Sequence, residues 1–145
     1  MSSNPETLLF NPGSTSLLYT RREDNYLHYL SLPSLQHSSI NLNERQDDHV
    51  SFSIVCLTLH PSNVLSLQTD QDPSVVILLP FGSHERLKTI HTASSQSPYS
   101  TPRHVWTPDG QHCILNSDDG LLHIVSLSKS AASSSFGWLM STLAT

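Results

Sequence analysis

The sequence predicts an all-β fold in which short antiparallel strands repeat about three times. Three observations predict it. Short runs rich in Leu, Ile and Val, or alternating large with polar side chains, are separated throughout by turn-forming residues. No segment sustains a 3.6-residue apolar period, so helix should be scarce. Three turn signals also recur in phase along the chain, which marks each copy as one supersecondary unit.

The best-defined copy runs from Trp106 to Leu127. Pro108-Asp109-Gly110 is a turn with a mechanism, because Pro presets φ near −65° and Gly accepts positive φ. Asp119-Gly120 lies between two apolar runs, His112 to Leu115 and Leu121 to Leu127, and such a pair tolerates the two positive φ angles of a tight hairpin. Ser117 and Asp119 are expected to hold that hairpin by bonding local backbone groups. Phe10-Asn11-Pro12-Gly13-Ser14 and Leu59-His60-Pro61-Ser62-Asn63 match Trp106-Thr107-Pro108-Asp109-Gly110 as large apolar, polar, Pro, then two small turn formers. The three prolines are spaced 49 and 47 residues apart. Each is followed by an acidic turn at near-constant distance (Asp24-Asn25, Asp72-Pro73, Asp119-Gly120) and then by another apolar run. A period of ~40–50 residues made of short strands is the signature of a propeller blade.

On these residues the third copy resembles a WD40 repeat. Trp106-Thr107-Pro108-Asp109-Gly110 stands where that family has Phe-Ser-Pro-Asp-Gly, and Asn116-Ser117-Asp118-Asp119-Gly120 stands where its second turn falls. Leu87-Lys88-Thr89-Ile90-His91-Thr92 looks like the segment that ends one blade and opens the next. The family's Trp-Asp and Gly-His dipeptides are absent from every copy; Val125-Ser126 occupies the first of these places. The resemblance implies antiparallel four-stranded blades of a WD40-like propeller, about three of them and therefore a partial set. Blades are expected at residues 1–45, 46–92 and 93–128, with a disordered Ser/Ala-rich tail over 129–145. A sandwich of the same hairpins is the alternative packing.

Taken in order, strands are expected at Leu8 to Phe10, Leu17 to Thr20, Tyr26 to Leu32 and, as a polar edge, Ser38 to Leu42. Asn43 to His49 is a polar connector. Val50 to Leu59 is apolar at most positions and is read as an inner strand buried on both faces. Val64 to Thr69 alternates strictly, which marks a strand with one buried face. Val75 to Leu79 is continuously apolar, and Arg86 to His91 is a polar outer strand. Thr92 to Pro102 reads as a long inter-blade loop. Phe136 to Leu143 is the one segment that could supply an outer strand to the third blade.

Composition narrows the function. Apolar residues are 37% and charged residues 13% of the chain, against typical values of ~45–50% and ~25%, and the uncharged polar residues that fill the gap suit half-exposed strand faces. A net charge of −5 lacks the basic face that nucleic acid or an anionic membrane requires. No signal peptide or spanning segment is visible, and Cys56 and Cys113 are read as buried free thiols, so a cytoplasmic or nuclear protein is expected.

Candidate chemistry is sparse. His104, His112 and His123 fall in one copy beside Cys113, yet paired metal-ligand spacings are missing, and adjacent His112 and Cys113 point to opposite faces of a strand. They are read as half-exposed strand histidines, with no metal and no cofactor. Ser117, His123 and Asp119 could compose a hydrolytic triad, but no Gly-x-Ser-x-Gly elbow accompanies them. Trp106 is read as core. Tyr99 and Arg103 sit in or beside the long loop, and such residues are enriched at interface hot spots. The expected function is a non-catalytic scaffold that binds other proteins, among them the rest of a propeller or a strand-donating partner. The alternatives are a hydrolase on a propeller-like scaffold and a degenerate fragment without independent activity.

Overall fold

The computed structural model describes residues 5–21, 26–42, 52–83, 85–97, 100–127 and 138–144. It contains three four-stranded sheets, each an antiparallel meander in chain order. The first holds β1 (Pro5–Phe10), β2 (Ser16–Arg21), β3 (Tyr26–Ser31) and β4 (His37–Asn41). The second holds β5 (Ile54–His60), β6 (Val64–Thr69), β7 (Val75–Leu79) and β8 (Lys88–His91). The third holds β9 (His104–Trp106), β10 (His112–Asn116), β11 (Leu121–Leu127) and β12 (Trp138–Ala144). No helix occurs among the described residues, so none there is long and apolar enough to cross a membrane. Strands β1, β5 and β9, the first of each sheet, lie side by side, so β5 is the inner strand that its apolar run predicts.

The two-residue side-chain period decides what each sheet covers. In the second sheet Leu65, Leu67, Val75, Ile77 and Leu79 face the first sheet, where Leu18, Leu27 and Tyr29 meet them. Val76 and Leu78 face the third sheet and pack with Cys113, Leu115 and Val125. The middle sheet is therefore buried on both sides, as a blade between two blades must be.

Three expectations are corrected by this arrangement. Strand β6 is buried along both faces, because its polar residues Ser66 and Gln68, each at 0% exposure, meet the third sheet instead of water. In β5, which begins at Ile54, Leu59 remains 39% exposed; the residues before Phe52 lie outside the described ones, as does the connector at 43–49. Within the segment 129–145, expected to be disordered, residues 138–144 form β12 and pair with β11 from Leu127↔Trp138 to Leu121↔Ala144. The physical reason is that the backbone groups of this segment find partners along the whole of β11, which the low-complexity residues before it do not reveal. The rest of that segment lies outside the described residues.

The three proline turns share one backbone geometry. The residue two places after each proline has positive φ: Ser14 at 55°, Asn63 at 65° and Gly110 at 72°. Gly110 carries a second constraint, since a Cβ there would lie 2.9 Å from Cε1 of His60. Gly120, at φ 79°, has open space around it. Forcing a side chain into the left-handed region costs roughly 1 kcal/mol. Gly120→Ala should therefore lower the unfolding free energy by about 1 kcal/mol, and Gly110→Ala by ~2–3 kcal/mol because the His60 ring must also move. Urea denaturation of both variants checks the order, and equal losses would contradict it.

Candidate functional site: the junction of the second and third sheets

The junction is built around His104, at the start of β9 and 2% exposed. Its Nδ1 lies 3.0 Å from Oε1 of Gln68, and its Nε2 lies 2.7 Å from Oγ of Ser66 and 2.9 Å from Oγ1 of Thr58. The partners fix the protons. Gln68 donates its amide Nε2 to Ser74 Oγ at 3.2 Å, so its carbonyl oxygen accepts from His104 Nδ1–H. Trp106 Nε1 donates to Ser66 Oγ at 2.8 Å, which leaves the Ser66 hydroxyl to donate to Nε2. The imidazole is thus neutral and saturated, and burial lowers its pKa from the usual histidine range to about 3.

Beside this network the proline turn of the second sheet sits on that of the third. His60 Nδ1 accepts from the Ser62 backbone N–H at 3.1 Å, so Nε2 donates to the Gly110 carbonyl at 3.0 Å. The His60 ring also meets Trp106 edge-on, with centroids 4.5 Å apart. Trp106, expected as core, is half-buried and serves both contacts.

At the opposite end of the junction the serine-rich connection is a strap. Thr92 Oγ1 donates to Ser74 O at 2.8 Å, Ser74 N to Ser94 O at 2.9 Å, and Ser94 Oγ to Asn116 O at 2.5 Å. Ser95 N donates to Ser117 Oγ, and Asp118 N to Ser95 O, each at 2.9 Å. Gln96 N donates to Asp72 Oδ1 at 3.1 Å, and Ser100 Oγ to Asp118 Oδ1 at 2.7 Å. These bonds tie the acidic turn of the second sheet to that of the third. The hydroxyls of Ser97 and Ser100 hold the Asp118 carboxyl below the usual carboxylate range.

The residues singled out from sequence fall as follows. Tyr99 lies outside the described residues. Arg103 is exposed, and its guanidinium donates to the carbonyls of Val55 at 3.3 Å and Pro102 at 2.7 Å. Asp109 accepts from Thr107 Oγ1 at 2.6 Å and from Gln111 N at 3.0 Å, a local turn whose Thr107 bond lowers the carboxyl pKa. Asp119 accepts from Leu121 N at 3.0 Å and meets His123 Nε2 at 2.9 Å; the histidine bond lowers its pKa. Ser117 serves both: its carbonyl accepts from Gly120 N at 3.3 Å within the hairpin, and its hydroxyl accepts from Ser95 N at 2.9 Å in the strap. His104 and His123, expected as half-exposed, are buried, whereas His112 is half-buried and lies on the other face of the third sheet. The His104 ring bonds Gln68, Ser66 and Thr58, and the His123 ring bonds Asp119, so these two share no partner. Among the described residues no three His, Cys, Asp or Glu side chains gather as a metal site. Cys56 and Cys113 are free and buried, and burial raises both thiol pKa values.

This geometry is that of successive β-propeller blades. The chain superposes on the β-propeller domain of Cps50 (Swd1) from Myceliophteria thermophila with a TM-score of 0.68 at 10% identity, covering 100% of this chain and 46% of that one. It superposes on U3-55K with a TM-score of 0.65 at 15% identity, covering 100% of this chain and 40% of the other. A Bacteroides fragilis protein provisionally described as a 6-phosphogluconolactonase gives 0.63 at 12% identity, with 97% of this chain and 38% of that one covered. At such identities the likeness is one of fold. The chain spans less than half the length of each of these solved chains. No sequence family matches it, and no curated protein does.

Stability should report the His104 environment directly. The unfolded chain binds a proton near pH 6.5 that the folded His104 takes up only near 3, so the unfolded state holds more protons between them. Stability is full above pH 6.5 and is lost as pH falls through that window, by about 1.4 kcal/mol per pH unit from this group. His104→Gln should flatten the profile by that increment in urea titrations run across the window. Parallel profiles for the two proteins would contradict the assignment.

Proposed function

We propose that the protein is a non-catalytic interaction scaffold whose strap and flanking acidic turns hold a partner protein. The observation that carries this reading is the strap itself. Residues 92–97 and 100–103 are fixed by hydrogen bonds to two sheets, yet Ala93, Ser97, Thr101 and Arg103 remain exposed. A rigid loop with exposed side chains binds without a large ordering cost. The fold adds support by analogy only, because function resides in sites and not in folds. The partner would meet Tyr99 and Arg103 and the carboxylates of Asp72 and Asp118, a mixed-charge surface without the basic footprint of nucleic-acid or membrane binding. The two free buried thiols fit the reducing cytoplasm or nucleus.

The hydrolase reading draws on the Bacteroides fragilis neighbour, and it needs imidazoles and carboxylates converging on one pocket. His104 is consumed by its own network and Ser117 by the strap, which weighs against it.

Affinity capture with the whole chain, set against a Tyr99→Ala and Arg103→Ala double variant, tests the scaffold reading. The double variant should lose its partner by tenfold or more in retained amount, with the far-ultraviolet circular dichroism unchanged. An unchanged set of partners would remove the strap from the function, and a chain that retains none would favour a fragment without independent activity.

A further inference from the structure

We propose that the cleft at the junction of the first and second sheets is a binding site for a neutral saccharide, held by the hydroxyls of Ser16, Tyr29, Ser31 and Ser38 against Phe81. This inference stands independently of the strap and its partner.

The inner face of the first sheet changes character along its strands. Leu18 and Leu27 are fully buried against the second sheet. The two-residue period puts Ser16 on the face of Leu18, Ser31 on the face of Tyr29, and Ser38 on the face of Ile40. Register joins them, since Ser16 pairs with Ser31 and Ser38 with Tyr29. The leucine layer thus gives way to hydroxyls at one end, where the second sheet offers Phe81 and Gly82 from the turn after β7. Between them lies a cleft of about 400 Å³, within the ~300–1,000 Å³ usual for small-molecule sites.

The polar groups of this cleft are open for bonding. Tyr29 is 8% exposed; its hydroxyl accepts from Gly82 N at 2.8 Å, and its own proton finds no acceptor among the described residues. Burial raises the Tyr29 pKa above the usual tyrosine value, so the hydroxyl keeps that proton. Leaving a buried donor unpaired costs ~1–3 kcal/mol, so this O–H calls for an oxygen in the cleft. The hydroxyls of Ser16, Ser31 and Ser38 likewise bond nothing among the described residues. Asn11 beside them is taken, its Oδ1 accepting from the backbone N–H groups of Thr15 at 2.8 Å and Ser16 at 3.0 Å.

The chemistry of the ligand follows from the lining. No Lys, Arg, Asp or Glu is among the described residues that form it, so an anion or a cation would find no counter-charge. An apolar ligand would leave Tyr29 and the serines unbonded. A hydroxyl both donates and accepts, so a set of hydroxyls is matched by a ligand that carries a set of its own. Register partners hold their Cβ atoms ~5 Å apart, close enough for Ser16 and Ser31 to reach two oxygens of one ring. Ile40 and Phe81 offer apolar surface to the C–H face that a sugar ring presents beside its hydroxyls.

Amide chemical-shift mapping on the full chain reads the outcome, with the methyl glycosides of glucose, galactose and mannose and with maltose as probes. At least one of these sugars should give saturable shifts centred on Tyr29, Ser31, Ser38 and Gly82, with a Kd of about a millimolar. Cyclohexanol, a ring with a single hydroxyl, and inorganic phosphate should bind at least tenfold more weakly. Ser31→Ala and Ser38→Ala remove hydroxyls that bond nothing among the described residues, so each should keep the fold and weaken binding by about 3- to 10-fold, the loss of one neutral hydrogen bond. The Tyr99→Ala and Arg103→Ala variant should bind as the wild type does, which separates this proposal from the scaffold reading. The proposal is overturned if no sugar gives saturable shifts up to ~100 mM, or if the shifts centre outside the cleft. Equal binding of cyclohexanol or phosphate would overturn it too, as would undiminished binding by both serine variants.

Discussion

A neutral histidine buried between two sheets is the contact on which the third blade depends. His104 reaches out of the third sheet and satisfies Gln68, Ser66 and Thr58 of the second, and they satisfy it. A buried polar group without a partner costs ~1–3 kcal/mol, so neither side of this junction can be separated or repacked cheaply. Apolar contact alone would let the sheets slide; Val76, Leu78, Cys113 and Leu115 specify area rather than register. The hydrogen-bonded imidazole, together with the His60 bond to Gly110, fixes one orientation.

From that constraint the remaining features follow. The first and second sheets meet through a largely apolar layer, with Leu18, Leu27, Leu65 and Ile77 at its centre and the Tyr29 hydroxyl accepting from Gly82 N at 2.8 Å across it. The second and third meet through a mixed layer, flanked by a turn-on-turn contact at one end and a serine strap at the other. Each strand can serve two neighbours because its side chains alternate, and the middle sheet uses both faces fully. The same alternation places exposed Leu8 and Phe10 among polar neighbours such as His37 and Asn41 on the other face of the first sheet, and Val105 and Leu122 on that of the third.

Much of this fold was legible in the sequence because turn chemistry is local. The prolines, Asp119-Gly120 and the apolar runs locate the strands, and their common phase implies repeated blades, as the superposed propellers bear out. What covers a face is not local. Val64 to Thr69 alternates as a half-exposed strand would, and only the arrival of His104 and Trp106 makes Ser66 and Gln68 interior residues. The serines at 94, 95, 97 and 100 read as loop for the same reason, since their partners are 18 to 22 residues away on another turn. A pairing of Ser66 and Gln68 with a histidine two residues before a tryptophan was the available signal, but it joins positions 36 to 40 residues apart. Strand β12 was legible only as a candidate at Phe136 to Leu143, because a Ser/Ala-rich segment precedes it and, of its residues, Trp138 and Thr142 alone favour strands.

The most direct test is the nitrogen chemical shifts of the His104 side chain, followed by nuclear magnetic resonance as pH is lowered through 6.5. The account predicts a proton on Nδ1, an unprotonated Nε2, and shifts that stay constant down to about pH 4 in the folded protein. A proton on Nε2, or titration near 6.5, would contradict it, because either would mean that the second and third sheets are not joined through this ring.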